Sequence, residues 1–226
     1  MAADPEVGSL RKALMERSYR YRHTYQHSWL GRPIIQYPED LMAMQEIIWE
    51  VKPHVIVETG IAHGGSLIFY ASMLELLGNG GVVGVDIDIR EHNRVAIESH
   101  PLAARIEMIQ GSSTSLEVVA EVEKRIGGRS PVMVVLDSNH THDHVLRELE
   151  LYSLFVSADS YVVVFDTIVE DLPPGMFPDR PWDVGDNPLT AIRAFLGEHP
   201  EFAEAATVSN KLLLSVARGG YLQRIS

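Results

Sequence analysis

The sequence contains no cysteine. Disulfides, thiolate metal sites and cysteine nucleophiles are therefore excluded outright. Such a chain suits a reducing compartment, and a cytoplasmic location is the expectation. No apolar run approaches the roughly 18 residues of a membrane span. Residues 1–20 carry charges throughout and lack the apolar core of a signal peptide, so none is expected. Positive charge is scarce, with 19 Lys and Arg against 31 Asp and Glu and a net charge of −12. A nucleic-acid partner is not expected, because phosphate backbones need a basic face. A small neutral or cationic ligand, or a metal, fits that balance better. Internal repeats and low-complexity tracts are also missing. The 226 residues suffice for one large domain with a full core.

The stretch with the strongest signature is Val55-Ile56-Val57-Glu58-Thr59-Gly60-Ile61-Ala62-His63-Gly64-Gly65-Ser66. A β-branched run ends in an acid, a glycine turn follows, and Gly65 to Leu77 can be helical. Glycines there let the backbone approach a ligand closely, and the first helical amides point at whatever occupies the turn.

Upstream, residues 1–40 read as an N-terminal helical arm or cap, rich in Arg17, Tyr19, Arg20, Tyr21, Arg22, His23 and Tyr25. A helix is predicted over Leu10–Arg22, broken at Gly31-Arg32-Pro33, and another over Glu39–Val51. Downstream, short apolar runs at Val82–Asp86, Ile106–Ile109, Val132–Leu136 and Tyr161–Phe165 have the character of strands buried on both faces. Helical patterns separate them at Arg90–Ser99, Ser115–Ile126 and Thr141–Val156. This alternation predicts an α/β, Rossmann-like parallel sheet with helices on both faces. Thr167 to Pro188 holds five prolines and reads as a lid loop. A helix over Leu189–Leu196 and a last strand over Leu212–Val216 complete the expected elements.

Acids stand at or just past four strand ends: Glu58, Asp86, Asp137 and Asp166. In parallel α/β sheets ligands bind at the carboxyl ends of the strands. Asp86 is placed to take two ribose hydroxyls, with Asp88 as the alternative. Asp137 and Asp166, on successive strands, can share one hard cation through oxygen. His140, three residues past Asp137, can take a proton near neutral pH. His142 and His144 make a zinc or iron site conceivable, but the carboxylates are the better-placed ligands. Both histidines, and an Asp143–Arg147 pair, are expected on a solvated helix face.

These motifs resemble the cephalosporin hydroxylase-like group of class I methyltransferases, whose relatives include metal-dependent sugar O-methyltransferases. The resemblance runs from Gly31 to the C-terminus. It rests on Gly31-Arg32-Pro33-Ile34-Ile35-Gln36-Tyr37-Pro38-Glu39-Asp40, Glu58-Thr59-Gly60 with Gly64-Gly65-Ser66, and Gly84-Val85-Asp86-Ile87-Asp88. Leu136-Asp137-Ser138-Asn139-His140, Val164-Phe165-Asp166-Thr167, Asn187-Pro188-Leu189-Thr190-Ala191 and Gly219-Gly220-Tyr221-Leu222 extend it. It implies a seven-stranded, mostly parallel sheet with the last strand antiparallel. It implies S-adenosylmethionine at Glu58, Gly60, Gly64, Gly65, Ser66, Asp86 and Asp137, with Ser112 or Ser113 facing the adenine. It also implies Mg²⁺, with Mn²⁺ as a substitute, on Asp137 and Asp166, and His140 as general base. Relatives often carry two consecutive acids at the fifth strand end. Here Phe165 precedes Asp166, and Thr167 or water is expected to fill the gap, with Glu170 and Asp171 further candidates.

The expected activity is methyl transfer from S-adenosylmethionine to a hydroxyl of a sugar or glycoside, with mannosides and rhamnosides the acceptors by analogy. Gln36, Tyr37, Phe177 and Trp182 are the candidate acceptor contacts, and a homodimer is expected. An NAD-dependent oxidoreductase is disfavoured because the glycine spacing after the first strand departs from G-x-G-x-x-G. An iron and 2-oxoglutarate hydroxylase needs a two-histidine, one-carboxylate triad, which only the Asp137–His144 stretch offers. A sugar- or nucleoside-binding module without catalysis is the remaining alternative.

Overall fold

A computed structural model of the protein describes residues 4–226; the first three residues of the expected arm lie outside them. Helix α1 (Pro5–Tyr19) opens on an Asp4 cap. A hairpin of β1 (His27–Trp29) and β2 (Arg32–Ile34) follows. Its turn residues Leu30 and Gly31 both have positive φ, as a tight hairpin turn requires. The main sheet comprises β3 (Val55–Thr59), β4 (Gly81–Asp86), β5 (Ile106–Gln110), β6 (Val132–Leu136), β7 (Tyr161–Val164), β8 (Phe202–Glu204) and β9 (Tyr221–Arg224). Its order is β5-β4-β3-β6-β7-β9-β8. Strands β3 to β7 are parallel, and β9 runs antiparallel to both β7 and β8.

Alternation along the strands divides the core into two layers. Ile56, Val82, Met133 and Val163 face one side, packed on α2 (Pro38–Val51) and α3 (Gly65–Leu77), with Ile97 of α4 (Glu91–Glu98) joining them. Val55, Val57, Val83 and Val134 face the other. They pack against α5 (Leu116–Ile126), α6 (His142–Tyr152) and α7 (Pro188–Glu198). A short α8 (Ala206–Ser209) precedes the last loop. Among the described residues, no helix is long and apolar enough to cross a membrane.

Three expectations need correction. Leu212–Val216 is a loop, because its amides are already taken: Leu214 N–H donates to Glu39 Oε2 (3.2 Å) and Val216 N–H to Asp40 Oδ2 (2.9 Å). Strand β9 occupies the sheet position assigned to it. Helix α1 starts at Pro5 and stops at Tyr19, and Arg22 adopts a left-handed conformation, φ 49°. Helix α6 stops at Tyr152, followed by a 3₁₀ turn over Ser153–Phe155.

Candidate active site

The glycine turn joins β3 to α3 at the carboxyl edge of the sheet. Two of its glycines make room first for the protein itself. A Cβ on Gly60 (φ 91°) would lie 2.0 Å from the Asp137 carbonyl oxygen, and one on Gly65 2.1 Å from that of Pro33. The turn is thereby pressed between the hairpin and the loop after β6. Gly64, also left-handed, caps α3. Glu58 is fully buried, and Ser66 Oγ donates to its Oε2 (2.8 Å) while Oε1 has no protein partner. Burial, with Asp86 adding like charge, holds the Glu58 carboxyl up at about 8. Asp86 is committed to the turn more than expected. Its Oδ2 accepts from Ile61 N–H (2.7 Å) and Ala62 N–H (3.2 Å), and its Oδ1 from Asp88 N–H (3.0 Å).

Asp137 follows β6 and Asp166 follows β7. Together with His140 they bring three ligand atoms within 4.8 Å of one another. His140 Nε2 lies 2.9 Å from Asp166 Oδ2. Asp137 accepts from Gln36 Nε2 (3.2 Å). Burial first, and then the charges of Asp166, Glu58, Glu148 and Asp40, push the Asp137 carboxyl well above the ordinary range. A site of crowded acids short of positive charge, with two carboxylates converging beside an imidazole, fits a hard divalent cation on oxygen ligands. The proposed fillers beside Phe165 are engaged elsewhere. Thr167 Oγ donates to the carbonyls of Val216 (3.1 Å) and Arg218 (2.7 Å). Glu170 accepts from Gly185 and Asn187, and Asp171 pairs with Lys12 and Arg218. Thr167 is therefore a buried brace for the C-terminal loop, while the cluster of possible ligands drawn together is Asp137, His140 and Asp166.

Asp137 and Ala62 also border a second space, a cavity of about 290 Å³. Its floor is Asp137, Ser138, His140 and Asp166; its walls come from residues 15–37 and from 168–182. The Trp182 and His140 rings meet edge to face at 4.5 Å, and Tyr19 and Phe177 at 5.0 Å. Tyr37 lines the cavity with its hydroxyl 3.0 Å from Ser18 Oγ. Gln36 is buried against Asp137, so among the four expected acceptor contacts it supports the floor while the other three form walls. Tyr19, His23, Tyr25 and Arg180 were missed as wall residues. For the first three the signal is the aromatic density of the arm; Arg180 lies in the lid loop, where nothing local marks it.

Below the floor, His144 Nε2 sits 3.2 Å from Ser113 Oγ and 3.1 Å from Ser138 Oγ; Ser138 also donates to the buried Glu148 (2.7 Å). This network links the loop after β5 to the loop after β6. Ser112 Oγ instead meets Thr114 Oγ at 3.0 Å. His142 Nδ1 lies 2.8 Å from Thr190 Oγ, and its backbone N–H donates to Asp186. Neither histidine is the freely solvated residue expected. Arg147 pairs with Glu150 (3.0 Å), which corrects the expected Asp143 partner.

Comparison with known proteins agrees with this geometry. The family model described as rhamnosyl O-methyltransferase/CmcI matches residues 21–225. A rhamnosyl O-methyltransferase of Mycobacterium bovis is 30% identical over 194 residues, covering 82% of this chain and 73% of that one. One from Mycobacterium leprae is 28% identical over 201 residues, covering 87% and 82%. A solved structure described as "cmcI-D160 Mg-SAM" superposes with a TM-score of 0.62 at 18% identity, covering 89% of this chain and 78% of that one, a likeness of fold. The chain thus has the class I methyltransferase fold and belongs to the rhamnosyl O-methyltransferase/CmcI family, whose members are S-adenosylmethionine-dependent O-methyltransferases.

Proposed function

We propose that the chain transfers a methyl group from S-adenosylmethionine to a hydroxyl of a sugar or glycoside, using Mg²⁺ held by Asp137 and Asp166 with His140 as general base. The carrying observation is that Asp137 lines two spaces at once: a small one of about 40 Å³ beside Gly60, Gly65 and Ser66 of the glycine turn, and the aromatic cavity. In this reading the turn residues Glu58, Gly60, Gly64, Gly65 and Ser66, with Asp86, hold the donor, and the orphaned Glu58 Oε1 accepts from its ammonium group. Ser113 stands at the adenine end. Bound Mg²⁺ lowers the pKa of a coordinated hydroxyl. His140 Nε2 takes the hydroxyl proton as the oxygen–carbon bond forms and the carbon–sulfur bond breaks, leaving S-adenosylhomocysteine. The rings of Tyr19, Phe177 and Trp182 supply apolar faces for the sugar, and residues 167–188 act as the lid. The names of the rhamnosyl relatives and of the Mg-SAM structure support acceptor and cofactor. The cysteine-free sequence supports a cytoplasmic setting. Met42 and Trp49, well exposed about one and three turns along α2, support a homodimer.

Labelled-methyl transfer to a panel of mannosides and rhamnosides tests the proposal. Chelation should abolish turnover with donor binding largely intact, and Mg²⁺ or Mn²⁺ should restore it. Full activity after exhaustive chelation would return Asp137 to a donor-positioning role. Donor binding with no turnover on any acceptor would favour the binding module, for which the Phe165 gap is the one favourable observation.

A further inference from the structure

We propose that the acceptor sugar carries a phosphate, and that Arg22 and Arg180 hold it at the mouth of the cavity. This rests on the methyl-transfer reading and deepens it. In a chain of net charge −12, the segment between Glu16 and Glu39 contains four arginines and no acid. Two of the four are occupied. Arg32 donates to the His63 carbonyl and Asn93, and Arg20 pairs with Glu16. Arg22 has no carboxylate within salt-bridge distance among the described residues; neither has Arg180, on the opposite wall. Arg105, Arg125, Arg193 and Arg218 each have one; Arg17 also lacks one among the described residues but does not line the cavity.

Position makes the two useful. Arg180 borders the cavity, its guanidinium 5.2 Å from the Trp182 ring centroid. Arg22 sits in its left-handed turn between Tyr19 and His23, both wall residues. Both guanidiniums lower the Tyr19 phenol's pKa, although burial outweighs them and raises it overall. The cavity therefore carries carboxylates at its floor, rings along its walls and the Arg180 guanidinium at its edge, with Arg22 adding charge beside Tyr19. A sugar whose reacting hydroxyl reaches the floor directs its far substituent to that edge. A neutral glycoside leaves both forks without an acceptor. A phosphate offers oxygens in several directions and takes hydrogen bonds from two guanidiniums approaching from different sides, which a single carboxylate does less well.

The chemistry is shared by a glycosyl phosphate and a nucleoside-diphosphate sugar, and the experiment separates them. Methyl transfer is compared for one sugar as its 1-phosphate, its nucleoside-diphosphate derivative, its uronic acid and its neutral methyl glycoside. The phosphate-bearing forms should show kcat/KM about tenfold or more above the neutral one, the scale of a charge-assisted hydrogen bond. In Arg22→Gln and Arg180→Gln that ratio should collapse toward one, and the wild-type ratio should fall with added salt. The better of the two phosphate forms identifies the source. Calorimetric titration of glycosyl phosphate into the enzyme with S-adenosylhomocysteine bound gives a readout independent of turnover. Affinity should drop about tenfold in each variant. Equal kcat/KM for phosphorylated and neutral sugars, a preference for the uronic acid, or a ratio untouched by both substitutions would overturn this inference while leaving methyl transfer standing. Failure of every acceptor would instead strike the proposed function, and the titration would still decide the phosphate site.

Discussion

The proposed donor side and the proposed acceptor side of the cleft are built in opposite ways. The donor side is nearly one continuous stretch, Glu58 to Ser66, placed by backbone. Gly60 N–H donates to the Val85 carbonyl (2.8 Å), and Asp137 N–H to that of Thr59 (2.9 Å). The acceptor side is gathered from α1 and the hairpin, the loop after β6 and the segment after β7. It is held mainly by side chains: ring edges, the Tyr37–Ser18 contact and the Lys12–Asp171 pair. A ligand part common to many enzymes is met by a rigid frame. The variable part is met by pieces that can be exchanged.

The largest test of that contrast is Gly60→Ala. A positive φ costs an L-residue about 1–2 kcal/mol, and the new Cβ would collide with the Asp137 carbonyl. The variant should lose measurable turnover and at least about 2 kcal/mol of stability. Thermal unfolding and the labelled-methyl assay check this; a stable, active variant would mean the frame is softer than its geometry implies. Next comes His140→Ala. General-base assistance is worth about 10²–10⁴ in rate, so single turnover should slow by that factor with donor affinity little changed. His142→Ala, which loses only the Thr190 contact, should stay within about threefold; if it is the dead variant, the base is misassigned. The smallest effect belongs to Glu58→Gln. The folded carboxyl titrates at about 8 against an ordinary value of 4.5. The folded state thus keeps a proton the unfolded chain has lost, and stability falls as pH rises across that window. The slope from this group is at most about 1.4 kcal/mol per pH unit. Glu58→Gln should flatten it, as read from denaturant midpoints between pH 5 and 8. An unchanged slope would remove the buried acid from the account.

Legibility in the sequence follows the same division. Helix α3 begins at the glycine turn and runs to Leu77, as the apolar segment predicts. The buried strands stand out because consecutive β-branched residues tolerate few other environments. Asp137, His140 and Asp166 were visible because strand ends converge in this topology. Leu212–Val216 imitates a strand by composition alone. Its fate is decided by Glu39 and Asp40, more than 170 residues away, a capture that no local pattern records. The carbonyls that Thr167 braces belong to that same distant loop, and no local pattern records them either. The hairpin was overlooked because each of its strands is three residues long. The arm's aromatic cluster was noticed, but its address at the cavity depends on how α1 docks.

The point where Gly60 meets the Asp137 carbonyl also partitions the molecule for redesign. Nothing larger than hydrogen fits there, so the junction between the methyl donor's seat and the reacting floor admits no gradual change. The arm reaches Asp137 through the Gln36 side chain, and the wall residues of arm and lid can be rewritten one at a time. An engineer seeking a new acceptor would randomise Tyr19, Tyr25, Phe177 and Arg180 and leave the turn alone. Variation in such a scaffold is channelled to one side of a single interatomic contact.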